Sequence, residues 1–93
     1  MFIGNIVKLK PNLKRNNEKE QKFIENAYKE KWIWLIVSMD DEDIDYLIKP
    51  MYLEGNMIEL GAGLLVMSDE IQRVKMSREQ IFNKLRNIRC NFG

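Results

Sequence analysis

Histidine and threonine are absent from this 93-residue sequence, and cysteine occurs once, at Cys90. Without histidine, neither a Ser–His nor a Cys–His pair can be assembled, which excludes most nucleophilic hydrolysis. One cysteine excludes an internal disulfide and any CxxC metal pair. Cys90 has Arg86 and Arg89 beside it but no companion base, and it reads as a free thiol. Two prolines and five glycines are too few for a disordered or fibrous chain. The longest apolar run, Trp32 to Val37, is six residues, far short of the roughly 20 that span a bilayer. Met1 to Leu9 interleaves Lys8 with apolar residues and lacks the pattern of a secretory signal. A cytoplasmic location is expected, and it suits an unpaired thiol. No GxGxxG or GxxxxGKS phosphate loop occurs. The acidic run from Asp40 to Asp43 lacks the alternating ligands and central glycine of a calcium loop, so no metal or cofactor is expected.

What is present is a chain 45% hydrophobic and 31% charged, the composition of one small globular domain over residues 1–93. Phe2 to Lys10 reads as a strand. Ile3, Val7 and Leu9 share one face and Phe2 and Ile6 the other, so a layer is expected over each side. Pro11 and Asn12 end it. Asn17 followed by Glu20 has the spacing of a capping box. Phe23, Ile24, Ala27 and Tyr28 then form one apolar stripe of a helix over Glu18 to Lys31. Trp32 to Val37 is aromatic and β-branched, the pattern of a central strand, with Trp32 and Trp34 on the same face.

Tyr46 to Ile48 continues an extended path, and Pro50 is expected to send it to an edge or a bend. Glu54-Gly55-Asn56 predicts a hairpin between Tyr52-Leu53 and Met57 to Leu60. Gly61-Ala62-Gly63 predicts a bend or bulge before Leu64 to Met67. After the turn Ser68-Asp69-Glu70, Ile71 to Met76 alternates as a last strand. Ser77 with Gln80 opens a C-terminal helix that shows Ile81, Phe82, Leu85 and Ile88 on one face. This order predicts an α+β fold: a small, strongly bent antiparallel sheet, a helix inserted after the first strand, and a C-terminal helix.

Fifteen basic and fourteen acidic side chains leave a net charge of +1, but they are not mixed evenly. Residues 1–37 carry eight basic and four acidic groups, residues 38–72 one and nine, and residues 73–93 six and one. Three blocks of alternating sign predict oppositely charged surface regions. A negative region would comprise Asp40, Asp41, Glu42, Asp43, Asp45, Glu54 and Glu59. Its carboxylates can stand in for phosphates in a partner protein's nucleic-acid groove. A positive region would comprise Lys8, Lys10, Lys14 and Arg15 with Arg73, Lys75 and Arg78, and suits a phosphate backbone or a nucleotide. Tyr28, Trp32, Trp34, Tyr46 and Tyr52 allow stacking on a base, although aromatics in strands more often fill a core. Met39, Met51, Met57 and Met67 serve either a core or a homo-oligomer surface.

Gly4-Asn5-Ile6-Val7-Lys8-Leu9-Lys10 resembles the opening strand of small SH3-like barrels. Asn56 to Leu65, followed by Ser68-Asp69-Glu70-Ile71-Gln72-Arg73-Val74, is similar to their closing half, where an acidic turn leads into the last strand. The resemblance implies an SH3-like, partly open barrel that binds peptides, proteins or nucleic acid rather than one that catalyses. A composition rich in Ile, Lys and Asn and poor in Ala follows AT-rich codons, as in a low-GC bacterium, its phages or its plasmids. In length, charge zoning and lack of catalytic residues, the chain also resembles, by type, the small counter-defence proteins of phages such as anti-CRISPR inhibitors. That likeness implies a non-enzymatic viral inhibitor in the host cytosol, occluding the nucleic-acid or effector surface of a host defence protein. The residues support a second expectation: a nucleic-acid or nucleotide-binding module, including a cyclic-nucleotide sponge, that uses the basic N- and C-terminal segments.

Overall fold

The computed structural model describes residues 2–40 and 45–88. Within them the elements run β1 (Ile6–Leu9), α1 (Glu18–Glu30), β2 (Trp34–Met39), β3 (Asp45–Glu54), β4 (Met57–Leu60), β5 (Leu64–Met67), a 3₁₀ turn at Ser68–Glu70, β6 (Ile71–Arg73) and α2 (Arg78–Arg86). The strands form one antiparallel sheet in the order β4-β3-β2-β1-β6, with β5 also paired to β3, and the sheet does not close. The protein is thus an α+β domain with the helices where the sequence puts them.

Burial alternates along the strands and divides the apolar residues between two layers. Val7, Leu9, Trp34, Ile36, Ile48 and Val66 pack with Ile24 and Ala27 of α1. On the other side Ile33, Met51 and Leu85 form a second cluster, joined by half-buried Ile6, Leu35 and Ile81. The two-faced pattern of β1 therefore has its reason: Val7 and Leu9 belong to the α1 layer and Ile6 to the α2 layer. Phe23 meets Trp32 and Trp34 edge-on at 5.2 and 5.6 Å between ring centres, a geometry that aligns ring edge with ring face. Both tryptophans are buried.

Several local signals act as the sequence implies. Asn17 Oδ1 accepts the Glu20 N–H at 3.1 Å, and Ser77 and Gln80 make both halves of a capping box. Glu54 pairs with Met57 around Gly55-Asn56, and Gly55 alone has positive φ (63°), as a type II′ hairpin turn requires. Val37 is bulged between Ile36 and Ser38, which bends β2 over the core. Gly61-Ala62-Gly63 separates β4 from β5.

Four expectations are corrected. Pro50 lies neither at an edge nor at a break: it is buried inside the ten-residue β3, opposite Trp34. Its carbonyl accepts the Gly61 N–H at 2.8 Å, so its donorless nitrogen faces the same side, where the 61–63 break asks for no further rung. The first strand starts at Ile6 rather than Phe2, and Phe2 and Ile3 are 72% and 62% exposed. β6 ends at Arg73, because the Val74 N–H to Ile6 carbonyl bond (2.8 Å) uses the first residue of its partner. The helix stops at Glu30 and not Lys31, which is left-handed.

Candidate functional site: a lysine-lined cleft

A cleft of about 490 Å³ opens between the C-terminal end of α1 and α2, with β1 and residues 74–76 as its remaining side. Four separate segments each place one lysine on its wall: Lys8, Lys31, Lys75 and Lys84. Among the described residues the lining contains no carboxylate. Among the described residues none of these four ammonium groups makes an ion pair. The rest of the wall is largely apolar and includes Ala27, Trp32 and Met76. A concave apolar wall with a few convergent charges is the form that small-molecule sites take.

Each wall is held by ordinary packing and hydrogen bonds. Lys8 sits opposite Gln72 in the β1–β6 ladder. The end of α1 is tied down by Tyr28, whose hydroxyl donates to the Lys10 carbonyl and accepts the Leu13 N–H at 3.1 Å. Lys75 follows Val74, the residue bonded to Ile6. Lys84 precedes Leu85, the buried anchor of α2. The lysines thus stand on or directly beside hydrogen-bonded elements, with Lys8, Lys31 and Lys75 exposed and Lys84 half-buried, an arrangement that lets a long amphipathic side chain serve a ligand.

Of the seven basic residues expected to act together, Lys8 and Lys75 line the cleft. Lys10 and Lys14 are exposed on the segment between β1 and α1, and Arg73 is exposed on the edge strand β6. Arg78 lies over the Phe82 ring at 5.9 Å. Arg15 is committed to the fold. It forms a two-pronged pair with Glu70 (Nη1–Oε2 2.7 Å, Nη2–Oε1 3.0 Å), reaches Glu20 at 3.0 Å, and donates to the Leu65 carbonyl. The hydrogen bond from Arg15, followed by that from the Met67 N–H, holds the Glu70 carboxyl below its usual range against the opposing effect of burial. The hydrogen bond to Glu70 raises the Arg15 guanidinium further. Sequence reading missed Lys31 and Lys84. Lys31 had one usable signal, its place between the helix and the buried Trp32; Lys84 had none beyond the basic C-terminal block.

Among the described residues the acidic set is not gathered into one place. Asp40 and Asp45 adjoin, through the Asp40 N–H to Asp45 carbonyl bond, at the β2–β3 connection. Glu54 is at the far end of β3 and Glu59 on β4. Asp45 and Glu54 are roughly 30 Å apart at extended-strand rise. Asp41, Glu42 and Asp43 lie outside the described residues, as does Cys90. Met39 and Met51 pack in the two apolar layers, whereas Met57 and Met67 are exposed. Among the described residues no helix is long and apolar enough to cross a membrane. Comparison with protein-family models, curated proteins and solved structures finds no match to this chain.

Proposed function

We propose that this protein is a non-catalytic nucleotide-binding module, built on an SH3-like, partly open barrel, with the cleft between α1 and α2 as its site. The barrel reading is supported by β1 pairing with both β2 and β6 and by the 3₁₀ turn that leads into β6. One observation carries the functional reading: among the described residues, four lysines that make no ion pair, and no carboxylate, line a cleft whose apolar wall includes the half-buried Tyr28 and Met76. Phosphate oxygens complement the lysines, as point charges rather than as a bidentate fork. A base or another flat apolar group complements the wall. A ligand bearing both satisfies the cleft; free phosphate leaves the wall uncovered.

A small nucleotide fits better than a nucleic-acid strand. The cleft has the volume of a small-ligand pocket. A strand needs a continuous basic track, and Arg15, one member of the expected track, is spent on Glu70.

Calorimetry on the full chain, with ATP, a cyclic dinucleotide and a single-stranded oligonucleotide at two salt concentrations, tests the proposal. Saturable binding of ATP or the dinucleotide, with at least tenfold loss in Lys75→Glu/Lys84→Glu, is the expected result. Absence of binding to both at low salt would sink it, as would binding of the oligonucleotide alone. Occlusion of a host protein by an acidic face predicts no nucleotide binding at any salt, so the same titration separates the two readings.

A further inference from the structure

α1 ends in a Schellman turn. The Lys31 N–H donates to the Tyr28 carbonyl at 3.3 Å and the Trp32 N–H to the Ala27 carbonyl at 3.0 Å. Trp32, the residue after the turn, is buried in the α1 layer, so the chain must reverse here to enter β2. The reversal forces Lys31 into the left-handed region, with φ 55° and ψ 48°. Four described residues have positive φ: Gly4, Gly55, Asn12 and Lys31. Glycine carries no penalty there, and asparagine tolerates the region. Lys31 is the exception, a long side chain at the one helix position where glycine is the usual occupant.

Nothing in the fold accounts for that choice. Both hydrogen bonds of the turn are made by backbone groups, which glycine would supply equally well. Among the described residues the Lys31 ammonium makes no ion pair and no side-chain hydrogen bond. Favourable interaction with the helix C-terminus is already supplied by Lys29 in the last turn. What the Lys31 side chain does is line the cleft.

We infer that Lys31 is a ligand-anchoring residue, retained in a strained backbone position because its ammonium contacts the phosphate of the bound nucleotide. This rests on the nucleotide reading above, and it adds a specific trade: the residue that serves the ligand weakens the fold. The fold would be better with glycine at this position, and binding would be worse. Lys31 and Lys84, at the ends of the two helices that border the cleft, then form the clamp on the phosphates, with Lys8 and Lys75 completing the charge.

The test compares wild type, Lys31→Gly, Lys31→Asn and Lys29→Ala as full chains. Thermal unfolding gives Tm, and calorimetry gives Kd for whichever of ATP and the cyclic dinucleotide binds wild type more tightly. Lys31→Gly is expected to raise Tm by about 4 °C. Both Lys31 variants are expected to weaken binding about tenfold, the value of one charge-assisted hydrogen bond. Lys29→Ala removes the same charge from the same helix end but does not line the cleft, and it should stay within twofold of wild type. The inference is overturned if Lys31→Gly keeps wild-type affinity, if it lowers Tm, or if Lys29→Ala loses as much as Lys31→Gly. Failure of wild type to bind either nucleotide refutes the underlying reading itself, and this inference falls with it.

Discussion

Arg15→Ala is the most informative perturbation of the fold. Arg15 ties the start of α1 to the turn before β6 through a partly buried two-pronged pair with Glu70, and its side chain is 19% exposed against 20% for Glu70. It also holds Glu20 and the Leu65 carbonyl. Exposed pairs contribute about 0–1 kcal/mol and breaking buried ones costs about 3–5 kcal/mol, so this intermediate case should cost about 2 kcal/mol. For a chain of this size, that corresponds to a Tm lowered by about 8–16 °C. Thermal unfolding followed by circular dichroism at pH 7 measures it.

The pH dependence supplies a second reading of the same pair. Glu70 ionises more readily folded than unfolded, so its contribution is complete above its ordinary value of 4.5 and is lost as pH falls through the lower folded value. Glu70→Gln should therefore be less stable than wild type at neutral pH and converge on it in acid. An Arg15→Ala Tm within 2 °C of wild type, or parallel pH profiles for Glu70→Gln and wild type, would refute the reasoning.

Two further substitutions probe the local turns. Gly55→Ala places a side chain at φ 63° with open space around it; the cost is backbone strain alone, about 1 kcal/mol, read as a lower midpoint in urea. Ser77→Ala removes the acceptor for the Gln80 N–H and should cost about 1 kcal/mol. It should also reduce amide-exchange protection in the first turn of α2, while leaving the β-sheet amides unchanged.

Most of the element order was legible because its signals are local. Asn17, Ser77 and Gly55 act through hydrogen bonds or φ angles within three residues of themselves. What was illegible depends on partners distant in the chain. Pro50 looks disqualified from an inner strand until one knows that its nitrogen faces the gap between β4 and β5. Arg15 looks like a free surface cation until Glu70, 55 positions away, is seen to take it. The stop at Glu30 bears no glycine to announce it, because it is set by the burial of Trp32.

The candidate site was half legible for the same reason. Charge blocks revealed that both ends of the sequence are basic, but not which lysines share a wall. That depends on β1 pairing with β6 and on the path of residues 74–76. Two of the acidic candidates are separated by the strand that carries them. β3 is one continuous strand, so Asp45 and Glu54 occupy its two ends.

The position of β1 carries a consequence for how the molecule comes into being. Its neighbours are β2 and β6, and Ile71 of β6 lies far along the chain from its partner Leu9. The β2–β3 and β3–β4 pairs join neighbouring segments, but the β1–β6 pair needs the whole intervening chain to fold back on itself. Closing so large a loop is entropically slow. The β1–β6 pair is therefore expected to form last, with the edge of β1 that faces β6 left unpaired in the intermediate that precedes it.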